Sequence, residues 1–243
     1  MMLGIAVGQM GQPEIVVKMQ IQQGAVHIQQ HRINVSPVNL HSYNETPQTS
    51  DDSSMPTKPR ILKRQALAKT ALFSVEQMQL EFTNKERRTY ERLMRPGRGA
   101  VLMVPMLDAE TVLLVREYGA GIEDYHLSLP KGAIDEGETP LEAANRELME
   151  EVGYGARRLE LIKCLTLSPA YMEHDIQVVL AEELYKKSLP GDEPEPIEVV
   201  PWPIKDLQAL AERDDVNEGR ALAALYIVRD LLAARSGGIG SSV

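Results

Sequence analysis

Regular alternation of apolar and polar positions begins only after about residue 57. Residues 72–82 (LFSVEQMQLEF) alternate with a period of two, as a half-buried strand does. Thr83, Asn84 and Lys85 read as a turn, residues 87–93 resume an extended pattern, and together they predict a hairpin. Two runs, AVLMVP at 100–105 and TVLLVR at 111–116, are almost wholly apolar. That is the pattern of strands covered on both faces. Short strands follow at 125–129, 159–167, 176–181 and 198–202. Residues 141–152 have helical spacing, as do 204–212 and 216–234, where Leu222, Leu225, Val228, Leu231 and Leu232 form one apolar face. Strands mixed with one internal helix and closing helices predict a layered α/β domain.

The first 54 residues look different. They hold two basic residues and four acids, and are rich in Gln, Asn and Ser. Residues 16–28 could supply a strand or two, and residues 44–54 read as linker. We expect residues 1–57 to be a poorly ordered extension, with Met55 a candidate for the natural start, residues 58–236 to be the working domain, and 237–243 a flexible tail. Met1 to Ala6 lack the basic flank and long apolar stretch of a signal peptide.

Composition narrows the classes. Of 243 residues, 26 are basic and 35 acidic, for a net charge of −9. An acidic chain lacks the basic footprint of a nucleic-acid binder. No apolar run reaches the roughly 18 residues that span a bilayer, so no membrane role is expected. The single cysteine, Cys164, excludes an internal disulfide and fits a reducing, cytoplasmic setting. Its place in a strand pattern predicts a buried thiol.

The acidity is concentrated. Between Gly132 and Tyr154 (GAIDEGETPLEAANRELMEEVGY), seven acids face one base, Arg146. Thr139 with Glu142 three residues on forms a capping box, and Pro140 takes the first helical position. Gly153 stands where a left-handed residue ends a helix. Glu147, Glu150 and Glu151, spaced i, i+3, i+4, share one face. Such a cluster is most often a solvated helix face. Crowded carboxylates, however, favour a counter-ion, and oxygen donors suit a hard cation such as Mg²⁺ or Mn²⁺.

Gly132, Glu138, Arg146, Glu147, Leu148, Glu150, Glu151 and Gly153 all fall on the signature of the Nudix box, with Tyr154 a mild departure in its last apolar place. The chain thus resembles the Nudix hydrolases, over about residues 58–236. The flanking strings LFSVEQMQLEF, RRTYER, LLVREY and GDEPEP are similar to the ADP-ribose pyrophosphatase branch and its ADP compounds hydrolases.

The resemblance implies an α/β/α sandwich around a mixed β-sheet, with an N-terminal β-hairpin. It implies Mg²⁺-dependent hydrolysis of the pyrophosphate of ADP-ribose, NADH or diadenosine polyphosphates to AMP and the other phosphate. Glu147 and Glu151 would be the main metal ligands, with Glu150 a further ligand or base, and the Lys131 carbonyl would join them. Arg146 would orient the glutamates, Glu138 would brace the loop, and Gly132 and Gly153 would shape it. In the loop at 192–195, Glu193 would be the base and Glu195 an added ligand, although a solvated acidic loop has the same composition. Phe73, Arg88, Arg116 and Pro169 are the substrate-binding candidates, Phe73 being equally suited to a core. A homodimer through the hairpin is a further expectation. Two alternatives stay open: a Nudix hydrolase of another diphosphate, such as a nucleotide sugar, and a binding-only sensor.

Overall fold

The computed structural model describes residues 19–22, 25–28, 57–94 and 97–237. The linker at 44–54, the candidate start at Met55 and the end of the tail from 238 lie outside the described residues. The chain divides into two units, Met1–Pro56 and Thr57–Val243. In the first, β1 (Met19–Gln22) and β2 (Ala25–Ile28) pair antiparallel, within the segment expected to be extended.

The second unit begins with a three-stranded antiparallel sheet, β3 (Arg60–Lys69), β4 (Ser74–Glu81) and β5 (Arg87–Leu93). The expected hairpin is β4 and β5; β3 is an addition. Almost every β3 residue is exposed, so no buried stripe marked it in the sequence.

The domain behind it is built on β6 (Ala100–Pro105), β7 (Thr111–Gly119), β8 (Asp124–Ser128), β9 (Lys131–Ala133), β10 (Tyr154–Thr166), β11 (Asp175–Lys186) and β12 (Glu198–Pro203). Its helices are α1 (Pro140–Glu147), α2 (Leu207–Ala211) and α3 (Gly219–Gly237). One sheet runs β10-β11-β6-β9, with β11 and β6 parallel and the other pairs antiparallel; the second runs β12-β7-β8. This is the mixed sheet expected.

The all-apolar strands divide their side chains between two cores, because successive residues point to opposite faces. Leu102, Val104, Val112, Leu114, Val178 and Leu180 pack on the side of α2 and α3. Val101, Met103, Leu113, Val115, Val179 and Ala181 pack with Ala143, Ala144 and Leu148 of the α1 segment. Helices on both faces make the α/β/α sandwich. Tyr154 packs at the edge of the second core, so the departure in the box's last position still serves an apolar site.

Two details depart from expectation. Cys164 is exposed rather than buried. It lies on β10, a sheet-edge strand whose outer half extends beyond the covered part of the sheet, and its Sγ is 3.7 Å from Asp175 Oδ2. Helix α3 also continues through Gly237, into the expected tail. No helix among the described residues is long and apolar enough to cross a membrane.

Candidate active site

The acidic segment folds by local rules. Thr139 Oγ1 accepts from the Glu142 N–H, and the Glu142 carboxylate accepts from the Thr139 N–H at 2.8 Å, closing the capping box with Pro140 behind it. Beyond Glu147 the winding widens into a π-turn over Leu148–Val152, ended by Gly153 at φ 77°. Wide turns of this kind recur at functional sites. Here the Met149 and Gly153 carbonyls accept the N–H groups of Leu189 and Lys187, which tie down the start of the following loop.

The glutamates face β9. Glu151 accepts from the Lys131 N–H at 3.1 Å. Glu147 passes so close to Gly132 that a Cβ there would lie 1.9 Å from its carboxyl carbon, so only glycine fits. Arg146 ties the acids together. It donates to both oxygens of Glu138 (2.8 and 3.0 Å), to Glu147 (2.8 Å), to Glu150 (3.1 Å) and to the Ala133 carbonyl (2.9 Å). Glu138 in turn accepts from the Asp135 N–H, which closes the loop between β9 and α1.

Lys131, Gly132, Arg146 and the three glutamates Glu147, Glu150 and Glu151 line a cavity of about 800 Å³. The loop between β11 and β12 forms its other wall, with Asp192, Glu193 and Glu195. The lining carries seven acids against two bases, Lys131 and Arg146. Burial, opposed by Arg146, raises the Glu147 carboxyl above its usual range, and Asp192 adds to this. Burial and the Glu147 charge push Glu151 up to about 8, with Glu193 adding to the rise. Arg146, held chiefly by Glu138, keeps its proton more tightly than an ordinary arginine. Burial pulls the Lys131 ammonium down, although it sits against Glu117.

This donor set is all oxygen and short of positive charge, and burial raises two of its carboxyl groups above their usual range. That is chemistry a hard divalent cation fits. Among the described residues no three acidic, His or Cys side chains are already drawn into a metal cage. Arg146 instead holds Glu147 and Glu150.

The structure brings together Lys131, Gly132, Arg146, Glu147, Glu150, Glu151, Glu193 and Glu195 on one cavity. It separates the substrate-binding candidates from it. Arg116 is bonded to Glu198 (2.9 Å) and Asp215 (2.8 Å). Pro169 lies in the turn whose Tyr171 carbonyl accepts from the N–H of Leu93, at the end of β5. Phe73 is exposed at the β3–β4 turn. Arg88 pairs with Leu80 near the other end of β4 and bonds Glu86. About seven residues of strand, roughly 24 Å, separate the two within one chain. Asp135 and Tyr125 were not singled out by the sequence, and Asp192 was read only as part of the acidic loop. Tyr125 donates to Glu195 Oε1 at 2.5 Å, and only proximity in the fold reveals it.

Two family models match the chain: the NUDIX domain over residues 96–225, and the NudE-type Nudix hydrolase N-terminal domain over 59–92. The chain is 47% identical to ADP compounds hydrolase NudE of Escherichia coli, across 72% of this chain and 94% of that one. It is 31% identical to the ADP-ribose pyrophosphatase of Bacillus subtilis, across 70% and 95%. A crystal structure of an ADP compounds hydrolase superposes with a TM-score of 0.70 at 45% identity, covering 75% of this chain and 98% of the other.

Proposed function

The chain belongs to the Nudix hydrolase family, enzymes that generally use divalent metal ions, and from that premise we propose that it hydrolyses the pyrophosphate bond of ADP-linked compounds. Its substrates are then ADP-ribose, NADH and diadenosine polyphosphates, and its products AMP and the other phosphate. The observation that carries this reading is the cavity where buried Glu147 and half-buried Glu151 meet the acidic loop, in a chain so similar to an ADP compounds hydrolase.

Glu147, Glu151 and Glu150, with the Lys131 carbonyl and Glu195, would hold the cation, Mg²⁺ in the first instance and Mn²⁺ as a substitute. When bound, it supplies positive charge to the phosphate oxygens and Lewis acidity at the attacked phosphorus. The chain's own residues do the rest. Arg146 keeps Glu147 and Glu150 aimed, and Glu138 with Gly132 and Gly153 keeps the box shaped around them. Glu193 accepts the proton of the attacking water. Phe73 and Arg88 are the adenosine candidates, which requires a second copy of the chain to bring them to one site. A homodimer through β3–β5 suits the exposed Ile61, Leu67, Leu72, Phe73 and Tyr90 of that sheet. Arg116 and Pro169 reach substrate only after rearrangement. We place the enzyme in the cytoplasm, with residues 1–57 an appendage to the domain at 58–236.

The deciding assay compares kcat/KM for ADP-ribose, NADH, diadenosine compounds and GDP-mannose with Mg²⁺ present. The reading expects ADP-linked compounds to lead. A preference for GDP-mannose overturns it in favour of a nucleotide-sugar hydrolase, and binding without turnover in favour of a sensor. A monomeric mass at micromolar concentration overturns the dimer.

A further inference from the structure

Tyr125 and Tyr118 face one another across the β7–β8 hairpin, their rings 5.5 Å apart and edge-to-face at 70°. Such a pair is held more firmly than either ring alone. The hairpin turn is closed by the Ile122 and Glu123 N–H groups on the Gly119 carbonyl. Strand β8 is fixed to the rest of the domain by the Leu127 N–H on the Asp215 carbonyl. Tyr125 therefore stands on a rigid base. Its hydroxyl projects to Glu195, seventy residues away in the chain and on the loop that walls the cavity.

The wall it meets has no regular structure between β11 and β12. It is held at its start, where Lys187 and Leu189 bond the Gly153 and Met149 carbonyls of the box segment. It passes Glu150 closely at Gly191, where a Cβ would lie 3.7 Å from the Glu150 Cβ. Pro190, Pro194 and Pro196 stiffen it by fixing φ. At its far end it runs into β12 at Glu198, which pairs with Arg116 of β7, so both ends are held and the part between them can still bow. The bond from Tyr125 to Glu195 holds that middle part from the side, with Asp192 and Glu193 between it and the Leu189 anchor.

We propose that Tyr125 is a positioning residue: by clamping Glu195 it holds the loop at the cavity mouth and so keeps Glu193 in place for the reaction. The inference rests on the hydrolase reading above, and adds to it a residue that touches neither the box glutamates nor the reacting atoms. The clamp also sets the use of Glu195. One of its oxygens is engaged by the phenol, leaving the other for the cavity.

The test uses Tyr125→Phe in the full chain, which keeps the ring and removes only the hydroxyl. Amide hydrogen exchange is followed in the metal-free protein over residues 187–197, and turnover of ADP-ribose is measured with Mg²⁺. A hydrogen bond to a charged acceptor controls equilibria of this kind by about tenfold. The expected result is exchange faster by about tenfold within the loop and unchanged in α1 and β8, with kcat lower by about tenfold and KM within about twofold. Unchanged loop exchange overturns the clamp, and faster exchange with unchanged kcat overturns its role in the reaction. Glu151→Gln is assayed alongside. If it turns over ADP-ribose like the parent, the reading of the box fails, while exchange in Tyr125→Phe still decides the clamp.

Discussion

Glu147 and Glu151 reach the cavity on a segment that organises itself, whereas Glu193 and Glu195 reach it on a segment that other parts of the chain hold in place. In the box, Thr139, Pro140, Glu142 and Gly153 set where the helix begins and ends. Arg146 makes five hydrogen bonds within the same stretch, to Glu138, Glu147, Glu150 and the Ala133 carbonyl. The loop has no such internal order. Its position comes from the Met149 and Gly153 carbonyls at one end, from the pairing of β12 with β7 at the other, and from Tyr125 at Glu195 between them. The acids of the two regions differ accordingly: Glu147 is buried, while Asp192, Glu193 and Glu195 are exposed. On the proposed function, the self-ordered region supplies carboxyl groups that a cation would deprotonate and hold, and the tethered region supplies the base.

The largest effect falls on the buried side. Glu151→Gln should lower kcat/KM for ADP-ribose by about 1000-fold, the upper end of what losing one preorganised electrostatic group costs. Circular dichroism should be unchanged, since glutamine keeps the side chain's shape. Gly132→Ala should follow at about 100-fold, because the new methyl displaces the Glu147 carboxylate by about an ångström or more. Excess Mg²⁺ should restore part of that loss. On the loop, Glu193→Gln should also cost about 100-fold, the low end for removal of a general base. There excess Mg²⁺ should restore nothing. If all three respond alike to Mg²⁺, the two regions do not divide the work as described. The smallest effect tests the self-ordering. Thr139→Ala should cost about 1 kcal/mol of stability by denaturant unfolding and leave kcat within about twofold.

The same contrast explains what could be read in advance. Strands whose residues are apolar on both faces, such as 100–105 and 111–116, announced the buried centre of a layered α/β domain, because burial on two sides leaves no polar position; the sandwich itself came from the resemblance to the Nudix hydrolases. The box was legible residue by residue, since its caps and its arginine act within a few positions of one another. Strand β3 was not legible because it is exposed along its length, and Cys164 was misjudged because a strand pattern does not reveal a sheet edge. Tyr125 left no mark at all: its partner is seventy residues distant. Arg116 looked available for a phosphate because Glu198 and Asp215, its partners in the fold, are far from it in the chain.

On the proposed function, the acidic cavity becomes a site for an anionic pyrophosphate by exchanging a proton for a cation. Burial and Glu147 hold Glu151 at about 8, so at pH 7 it lies below its pKa and is largely protonated. Metal binding requires it deprotonated. Calorimetric Mg²⁺ titration at pH 7, repeated in buffers of different ionisation enthalpy, counts the protons released. The parent should release close to one proton per cleft, the release should vanish above about pH 9, and Glu151→Gln should bind Mg²⁺ weakly and release none. Tight Mg²⁺ binding by Glu151→Gln, or binding to the parent at pH 7 with no proton released, would contradict the account.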